Sequence, residues 1–178
     1  MEVYSGGFGN VMNIILIGMP GVGKSTVGVV LAKKLGLQFM DSDLVIQEKE
    51  GKLLHEIIDE KGLEGFLAVE DEINAKIPLN QTVLATGGSA VYGEHAMEHF
   101  AKCGTIVYLH LPYEELAERL GDLNERGVAI KNGQTLYDLM EERRPLYEKY
   151  AMVKIDCSHK QIREIVAEIA EKIYSNHS

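Results

Sequence analysis

Short apolar runs alternate along the chain with longer segments whose apolar residues recur at helical spacing. Five short runs have the length of buried strands, and all but the second contain Val, Ile or Leu; they cover residues 13–18, 38–41, 82–86, 105–111 and 152–156. The segments with helical spacing cover residues 24–35, 53–60, 64–76, 94–102, 113–120, 134–150 and 161–174. Strands and helices therefore alternate through most of the chain.

This alternation predicts a three-layer α/β fold, in which helices flank a five-stranded parallel sheet. Ligands of such folds bind outside the carboxyl ends of the strands. Three polar segments directly follow strands, and they begin at Gly18, at the pair Asp41 and Asp43, and at the pair Gly87 and Gly88. We expect all three segments at one edge of the sheet.

The 178 residues suit one ordinary domain. Residues 1–11 are rich in glycine and show no hydrophobic period, so we expect a flexible N-terminal extension followed by a single domain over residues 12–178. The two cysteines, Cys103 and Cys157, have neither the number nor the spacing of a disulfide framework or a zinc site, and we expect free thiols.

The net charge of -9 and the isoelectric point near 5.2 argue against broad binding of nucleic acids or anionic membranes, because the overall field repels polyanions. The apolar run over residues 14–17 is too short to cross a bilayer, and no secretion signal is recognisable. We expect a cytoplasmic protein that is a monomer. Any anionic ligand must be held by local positive charge.

The segment GMPGVGKS, residues 18–25, matches the pattern G-x-x-x-x-G-K-[ST] completely. Its glycines let the backbone curl around phosphate oxygens, and the helix that follows presents its N-terminus to the anion. Lys24 is expected to reach the β- and γ-phosphates, and the Ser25 hydroxyl to bind Mg²⁺. The segment predicts a nucleoside triphosphate site formed by Gly21, Val22, Gly23, Lys24, Ser25 and Thr26.

Two common classes of nucleotide-binding protein fit the sequence poorly. A typical ATPase places an acidic residue after a further apolar strand, whereas residues 82–86 are followed by Gly87, Gly88 and Ser89. A switch GTPase is disfavoured because the guanine-specifying pattern Asn-Lys-x-Asp is absent. An acidic group must therefore come from another part of the chain.

Asp41 and Asp43 supply two carboxylates at the end of the second strand. They point the same way if the chain stays extended, and they diverge if it turns into a helix. One carboxylate would support Mg²⁺ through its water shell, and the other would align or deprotonate an acceptor hydroxyl. The alternative interpretation is that Ser42 or Asp43 caps a following helix.

Most of the arginines lie in the long connection between the fourth and fifth strands. This connection contains a polar segment, and residues 121–133 suit a lid that closes over the nucleotide and excludes water. Arg126 would lie on this lid, and Arg143 would lie on the helix behind it. For Arg144, a solvated helix face is the favoured interpretation.

In these features the chain resembles the shikimate kinase family, whose members are small kinases with a phosphate-binding loop, a three-layer fold and a mobile lid. The resemblance covers residues 12–174 and rests on the segments GMPGVGKSTVG, FMDSD, VLATGGSAV and EERRPLYEKYA, which occur in the family's order. It implies that ATP and Mg²⁺ are the cofactors and that a small molecule, shikimate, is phosphorylated on a hydroxyl group.

On the nucleotide side, the resemblance implies that Lys24 and Ser25 bind phosphate and magnesium, and that Asp41 supports the magnesium shell. Arg126 would close on the phosphates, and Arg119 would stack on the adenine. On the acceptor side it implies the following contacts with the substrate: Asp43 with the hydroxyl, Gly87 and Gly88 through the backbone, and Arg143 with the carboxylate.

Two departures from the family concern the acceptor. Leu67 stands where the family has an arginine that helps to clamp the carboxylate and pairs with the residue matching Glu70, and Ser89 replaces the third glycine of a Gly-Gly-Gly segment. The loss of one bidentate arginine partner weakens carboxylate binding by about two decades in affinity.

Two interpretations of these departures remain open. In the first, Arg143 holds the shikimate carboxylate together with Arg144 or a lysine such as Lys61. In the second, the chain phosphorylates another small alcohol or hydroxy acid. We favour the first because the match extends over the whole fold. A nucleotide-binding regulator without transfer chemistry is disfavoured, because a pure binder has no need of Asp43.

Overall fold

The structure, a computed structural model, describes residues 12–121 and 131–176. Its centre is a sheet of five parallel strands in the order β2-β3-β1-β4-β5. The strands are β1 (Ile14–Ile17), β2 (Gln38–Asp41), β3 (Thr82–Ala85), β4 (Thr105–His110) and β5 (Val153–Asp156). The predicted parallel sheet is confirmed, and each strand begins or ends within one residue of its predicted limit.

Seven α-helices lie in the described parts of the chain and flank the sheet. They are α1 (Lys24–Leu35), α2 (Ser42–Glu50), α3 (Leu54–Asn74), α4 (Glu94–Cys103), α5 (Tyr113–Leu120), α6 (Leu136–Tyr150) and α7 (Ile162–Ser175). A short 3-10 helix, Ala90–Tyr92, lies between β3 and α4.

The connection between β2 and β3 differs most from the predicted pattern. The chain turns into α2 directly after β2, so the extended alternative for the two aspartates is wrong. The segments predicted as two helices over 53–60 and 64–76 form one helix, α3, which leaves helical geometry at Gly62 with φ 73° and ψ 175°. Glycine adopts this backbone conformation without a steric penalty, and it therefore permits the kink.

Two apolar clusters stabilise the described part of the fold. The main core covers both faces of the sheet, and all four residues of the central strand β1 are fully buried, as expected for a parallel sheet between helical layers. A smaller cluster joins α2 to α3 and consists of Ile46, Ile57, Phe66 and Ile73. The α2–α3 pair thus has its own apolar contact beside the edge strand β2.

The carboxyl ends of β1, β2 and β3 meet at one edge of the sheet. Both Leu16 of β1 and Asp41 of β2 lie opposite Ala85 of β3 in the strand register. The loop after β1, the aspartates after β2 and the glycines after β3 therefore open onto the same edge, as predicted.

Residues 1–11 and most of the proposed lid, residues 122–130, lie outside the described residues. The N-terminal extension, the domain limits and the lid over residues 121–133 therefore stay predictions. Within the described residues, each helix is too short or too polar to span a membrane.

Candidate active site

The phosphate-binding loop ends at Gly23, whose φ of 102° lies in the region that favours glycine, and α1 starts with Lys24. The Lys24 ammonium donates hydrogen bonds to the carbonyl oxygens of Gly18 at 2.6 Å and Met19 at 2.9 Å. Burial lowers the pKa of Lys24 to about 7, although the nearby carboxylate of Asp43 opposes this shift. The loop thus holds a buried ammonium group that titrates near neutral pH.

Asp41 connects this loop to the second strand. Its Oδ2 accepts a hydrogen bond from the Ser25 hydroxyl at 2.9 Å, and its Oδ1 accepts one from the backbone N–H of Asp43 at 2.9 Å. Asp41 is therefore the N-cap of α2, and the alternative in which Ser42 or Asp43 caps this helix is wrong.

The side chains of Ser25 and Asp41 fit a magnesium ion. Both offer hard oxygen atoms, which Mg²⁺ prefers, and they lie at the mouth of an anion-binding loop, where Mg²⁺ is usually shared with phosphate oxygens.

Asp43 lies one residue inside α2 and faces the glycines after β3. Burial raises the pKa of its carboxyl group to about 6, with a further increase from Asp41 and an opposing effect of Lys24. A Cβ atom on Gly87 would lie 2.6 Å from Asp43 Oδ1, which is too close for any side chain. Glycine at position 87 is therefore required for this approach.

Arg143 lies close to Gly88, the next residue of the same segment. A Cβ atom at position 88 would lie 2.9 Å from Arg143 Nη1 and 2.6 Å from Pro20 Cδ. The Tyr147 hydroxyl donates a hydrogen bond to the Gly88 carbonyl oxygen at 2.6 Å and fixes the orientation of this peptide. Arg143 and the phosphate-binding loop thus both contact the Gly87–Gly88 segment.

Arg143, on α6, has only 1% of its surface exposed. Its Nε donates to the Tyr92 hydroxyl at 3.4 Å, and its guanidinium lies 5.4 Å from the centre of the Tyr92 ring. The Tyr92 hydroxyl donates to Glu142, which also accepts a hydrogen bond from Lys131 at 3.0 Å. This network, which the sequence did not reveal, links Arg143 to residue 131 of the proposed lid segment.

The other cations considered for the acceptor carboxylate lie elsewhere. Arg144 is exposed and forms an ion pair with Glu141 at 2.8 Å, as expected for a solvated helix face. Lys61 lies 3.6 Å from Glu50 and is also exposed. The interpretation in which either residue assists Arg143 receives no support from these positions.

Both positions that depart from the family pattern neighbour Glu70, since Leu67 lies three residues before it on α3 and Ser89 contacts its side chain. Leu67 packs against the small cluster between α2 and α3. Ser89 donates a hydrogen bond to Glu70 Oε1 at 2.7 Å, and Glu70 is 2% exposed. Burial raises the pKa of Glu70 to about 7, although the hydrogen bond from Ser89 opposes the shift.

A cavity of about 490 Å³ lies between the phosphate-binding loop, Asp43, the segment Gly87–Ser89 and Arg143. The residues predicted as site residues that line it are Gly21, Gly23, Lys24, Ser25, Thr26, Asp43, Gly87, Gly88 and Arg143. Asp41 contacts the lining residue Ser25, and Arg119 donates to the carbonyl oxygen of Val22 at 3.3 Å, next to the loop. Arg126 lies outside the described residues.

The sequence did not reveal several lining residues, namely Pro20, Leu54, Phe66, Thr86 and Leu120. Leu54 and Phe66 belong to segments with helical spacing, where an apolar residue of the core and one that faces a ligand look alike. Thr86 ends a predicted strand, and its position at the sheet edge was the one available signal.

Comparison with known proteins identifies the family. The model of the shikimate kinase family matches residues 20–174. The shikimate kinase of Francisella tularensis subsp. novicida is 38% identical over 162 residues, which cover 89% of this chain and 92% of that protein. The shikimate kinase of Bacillus anthracis is 32% identical over 161 residues, or 90% of this chain and 98% of that protein.

This chain belongs to the shikimate kinase family. A solved shikimate kinase from Acinetobacter baumannii, in complex with shikimate, shares the fold with a TM-score of 0.82 and 32% identity, covering 93% of this chain and 94% of that one. The predicted family and its three-layer fold are confirmed, while the roles of individual residues stay predictions.

Proposed function

We propose that this protein transfers the γ-phosphate of ATP to a hydroxyl group of shikimate. The observation that carries the proposal is one cavity that joins the phosphate-binding loop to Asp43, Gly87, Gly88 and Arg143. A nucleotide donor and a carboxylated alcohol would meet there, with a carboxylate beside the reacting hydroxyl. Family membership and the names of the relatives support the same activity.

On the donor side, the loop would hold the phosphates through backbone N–H groups and the start of α1. Lys24 would leave the carbonyl oxygens of the loop and neutralise the charge that develops on the transferred group. Ser25 and Asp41 would hold Mg²⁺, which neutralises phosphate charge when bound. Arg119 would contact the adenine, and Arg126 would close on the phosphates from the lid.

On the acceptor side, Arg143 would bind the carboxylate of shikimate and Asp43 would accept a hydrogen bond from the hydroxyl group. The hydroxyl oxygen attacks the γ-phosphorus, the bond from phosphorus to the β,γ-bridging oxygen breaks, and ADP leaves. The hydroxyl proton passes to the Asp43 carboxylate. A pKa near 6 keeps this group mostly ionised at neutral pH while leaving it basic enough to take the proton.

A coupled assay of ADP release tests this proposal with a panel of shikimate, polyhydroxy sugars and hydroxy amino acids. We expect shikimate to be the preferred acceptor. Preference for another alcohol would support the second interpretation of Leu67, and tight ATP binding without turnover of any acceptor would support the regulator. The expectation of a cytoplasmic monomer stays a prediction.

Two substitutions test the assigned roles. Asp43→Asn removes the proton acceptor and should lower kcat by about 100-fold or more, and Lys24→Ala should lower kcat by a similar factor. The matched controls, Asp59→Asn and Lys33→Ala, change exposed side chains and should leave the rate unchanged. An Asp43→Asn protein with nearly normal kcat would contradict the role of Asp43 as base.

A further inference from the structure

Glu70 carries a buried carboxyl group that has no role in the proposed phosphate transfer. Ser89 donates to its Oε1 atom at 2.7 Å. Within residues 12–121 and 131–176, no group forms a hydrogen bond with the second oxygen, Oε2. Buried polar atoms of native proteins nearly always have a partner, so an orphan oxygen beside a cavity indicates a ligand or a water molecule.

The Oε2 atom lies beside Gly87, a residue that lines the acceptor side of the cavity. A Cβ atom on Gly87 would be 3.2 Å from Glu70 Oε2 and 2.6 Å from Asp43 Oδ1, so the two carboxyl groups approach the same point. A Cβ atom on the next residue, Gly88, would be 2.9 Å from Arg143 Nη1. Glu70, Asp43 and Arg143 therefore converge on two adjacent glycines that line the cavity.

The surroundings of Glu70 favour its protonated form. Burial is the largest cause of its raised pKa of about 7, and Asp43 from α2 and Asp71 from α3 itself raise the pKa further. Arg143 from α6 has the opposite effect, and His95 from α4 lies against Asp71 at 2.8 Å. Because Oε1 already accepts the Ser89 hydroxyl, the proton of the neutral acid resides on Oε2, which then becomes a hydrogen-bond donor.

The leucine at position 67 explains why Glu70 can be protonated. Residues three apart on a helix are neighbours, so the side chains at positions 67 and 70 share one face of α3. An arginine at position 67 would keep Glu70 ionised through a charge pair, whereas leucine leaves burial to dominate. Leucine at position 67 thus removes one hydrogen-bond donor for the acceptor carboxylate, the arginine, and allows protonated Glu70 to serve as another.

We propose that protonated Glu70, positioned by Ser89, donates a hydrogen bond from Oε2 to the carboxylate of the acceptor, beside the guanidinium of Arg143. The inference rests on the proposed function, because it requires an acceptor that carries a carboxylate. A hydrogen bond to an ionised carboxylate is stronger than one between neutral groups. The acceptor then binds the form of the protein that holds a proton on Glu70.

The decisive measurement is the KM for shikimate between pH 6 and pH 9 in the wild type and in Glu70→Gln. The wild-type KM should rise above pH 7 and approach a tenfold increase per pH unit. The glutamine amide accepts from Ser89 and donates N–H at every pH, so the Glu70→Gln KM should stay nearly constant and within about threefold of the wild-type value at pH 6. The KM for ATP should show the same pH profile in both proteins.

Infrared difference spectra supply a readout that does not depend on turnover. Addition of shikimate should perturb the carbonyl stretch of one protonated carboxyl group in the wild type and in the control Glu72→Gln, which changes an exposed residue of the same helix. The perturbation should be absent in Glu70→Gln. Loss of this band and a flat KM profile in the same variant would support the proposal.

Two outcomes would contradict the role of Glu70 alone, and a third would also contradict the proposed function. Shikimate turnover with the same rising KM profile in the wild type and in Glu70→Gln overturns the role of Glu70 and leaves the proposed function intact. A wild-type KM that is constant from pH 6 to pH 9 has the same meaning. Absence of shikimate turnover in the wild type overturns the proposed function and this inference together.

Discussion

Leu67 packs against the small apolar cluster between α2 and α3, one turn before the buried Glu70. Its neighbours in that cluster are aliphatic and aromatic, so the leucine is compatible with the local packing although it adds no charge to the acceptor side. Among the described arginines, Arg143 is the one that lines the cavity. The proposed binding of the acceptor carboxylate therefore depends on Arg143 and on neutral hydrogen-bond donors.

Restoration of an arginine at position 67 should strengthen acceptor binding. In Leu67→Arg, a second guanidinium would pair with both the acceptor carboxylate and Glu70. Because a hydrogen bond to a charged group contributes about 1.5–3 kcal/mol, we expect the KM for shikimate to fall about tenfold or more and to lose its rise above pH 7.

The matched control for this prediction is Leu67→Met, which conserves volume and adds no charge, and it should behave like the wild type. The same coupled assay measures both variants. An unchanged KM in Leu67→Arg, with intact folding, would mean that the acceptor carboxylate lies out of reach of α3.

At the level of elements, the segment between β3 and the 3-10 helix brings α2, α3 and α6 together. Gly87 allows the carboxyl groups of α2 and α3 to approach the backbone, and Gly88 does the same for the guanidinium of α6. Tyr147 fixes the Gly88 carbonyl oxygen from α6. The geometry of the acceptor side thus depends on the absence of two side chains.

Gly87→Ala should impair catalysis much more than stability. Its methyl group would displace the Asp43 carboxylate, which is the flexible end of a side chain, and a displacement near 1 Å can lower a rate about 100-fold. The control Gly36→Ala changes the residue with φ 70° that ends α1, where the new Cβ has no atom within 4 Å from other described residues beyond its neighbours in the chain.

This control should lower the free energy of unfolding by about 1 kcal/mol and leave kcat unchanged. Steady-state kinetics and urea unfolding of both variants separate the two effects. A Gly87→Ala protein with normal kcat would contradict the close approach of Asp43.

The sequence predicted the elements whose signal is local, and it missed those that depend on tertiary contact. The apolar run of β1 gave limits correct to within one residue, and the glycine after α1 gave the correct end of that helix, because a buried parallel strand and a helix end have local signatures. Helix α2 was not delimited, because its apolar residues are few and Leu44 is exposed. Its N-cap, Asp41, became visible only in the structure.

The candidate site shows the same difference between residues with a local sequence signal and contacts that depend on tertiary packing. Lys24 and Ser25 lie in a contiguous motif, and Asp43 and Arg143 lie in segments with recognisable neighbours. The contact between Ser89 and Glu70 joins residues that are 19 positions apart, and the contact between Arg143 and Tyr92 spans 51 positions. Neither contact has a local signature, since it depends on how α3 and α6 pack around the glycines.

On the scale of the whole molecule, buried charged side chains are found around the cavity, whereas the ion pairs elsewhere lie mostly at the surface. The ion pairs of the described residues are mostly exposed and contribute little to stability. Lys24, Glu70 and Arg143, in contrast, are buried, and the charge of Arg143 lowers the pKa of the other two. Burial of such groups reduces stability and is retained where function requires it. The stability of the ligand-free protein should therefore depend on the protonation of the buried acids.

Glu70 makes this dependence testable. Its carboxyl group has a pKa near 4.5 when exposed and about 7 in the folded protein, so the folded state binds the proton more tightly than the unfolded state. The resulting stabilisation is fully present below pH 4.5 and is lost as the pH rises through 7. One pKa unit corresponds to about 1.4 kcal/mol and the two values differ by about 2.5 units, so Glu70→Gln should be more stable than the wild type at pH 8 by about 3 kcal/mol.

At pH 5 the difference between the two proteins should be much smaller, because the wild-type carboxyl group is then protonated in the folded state. Urea unfolding of the ligand-free proteins at both pH values measures the difference, and Glu72→Gln, at an exposed position of α3, should change stability by less than about 0.5 kcal/mol at either pH. A Glu70→Gln protein that is less stable than the wild type at pH 8 would show that the ionised carboxylate is stabilised in the folded state. In that case a partner for Oε2 must exist in the free protein, and the cavity would hold it before the acceptor arrives.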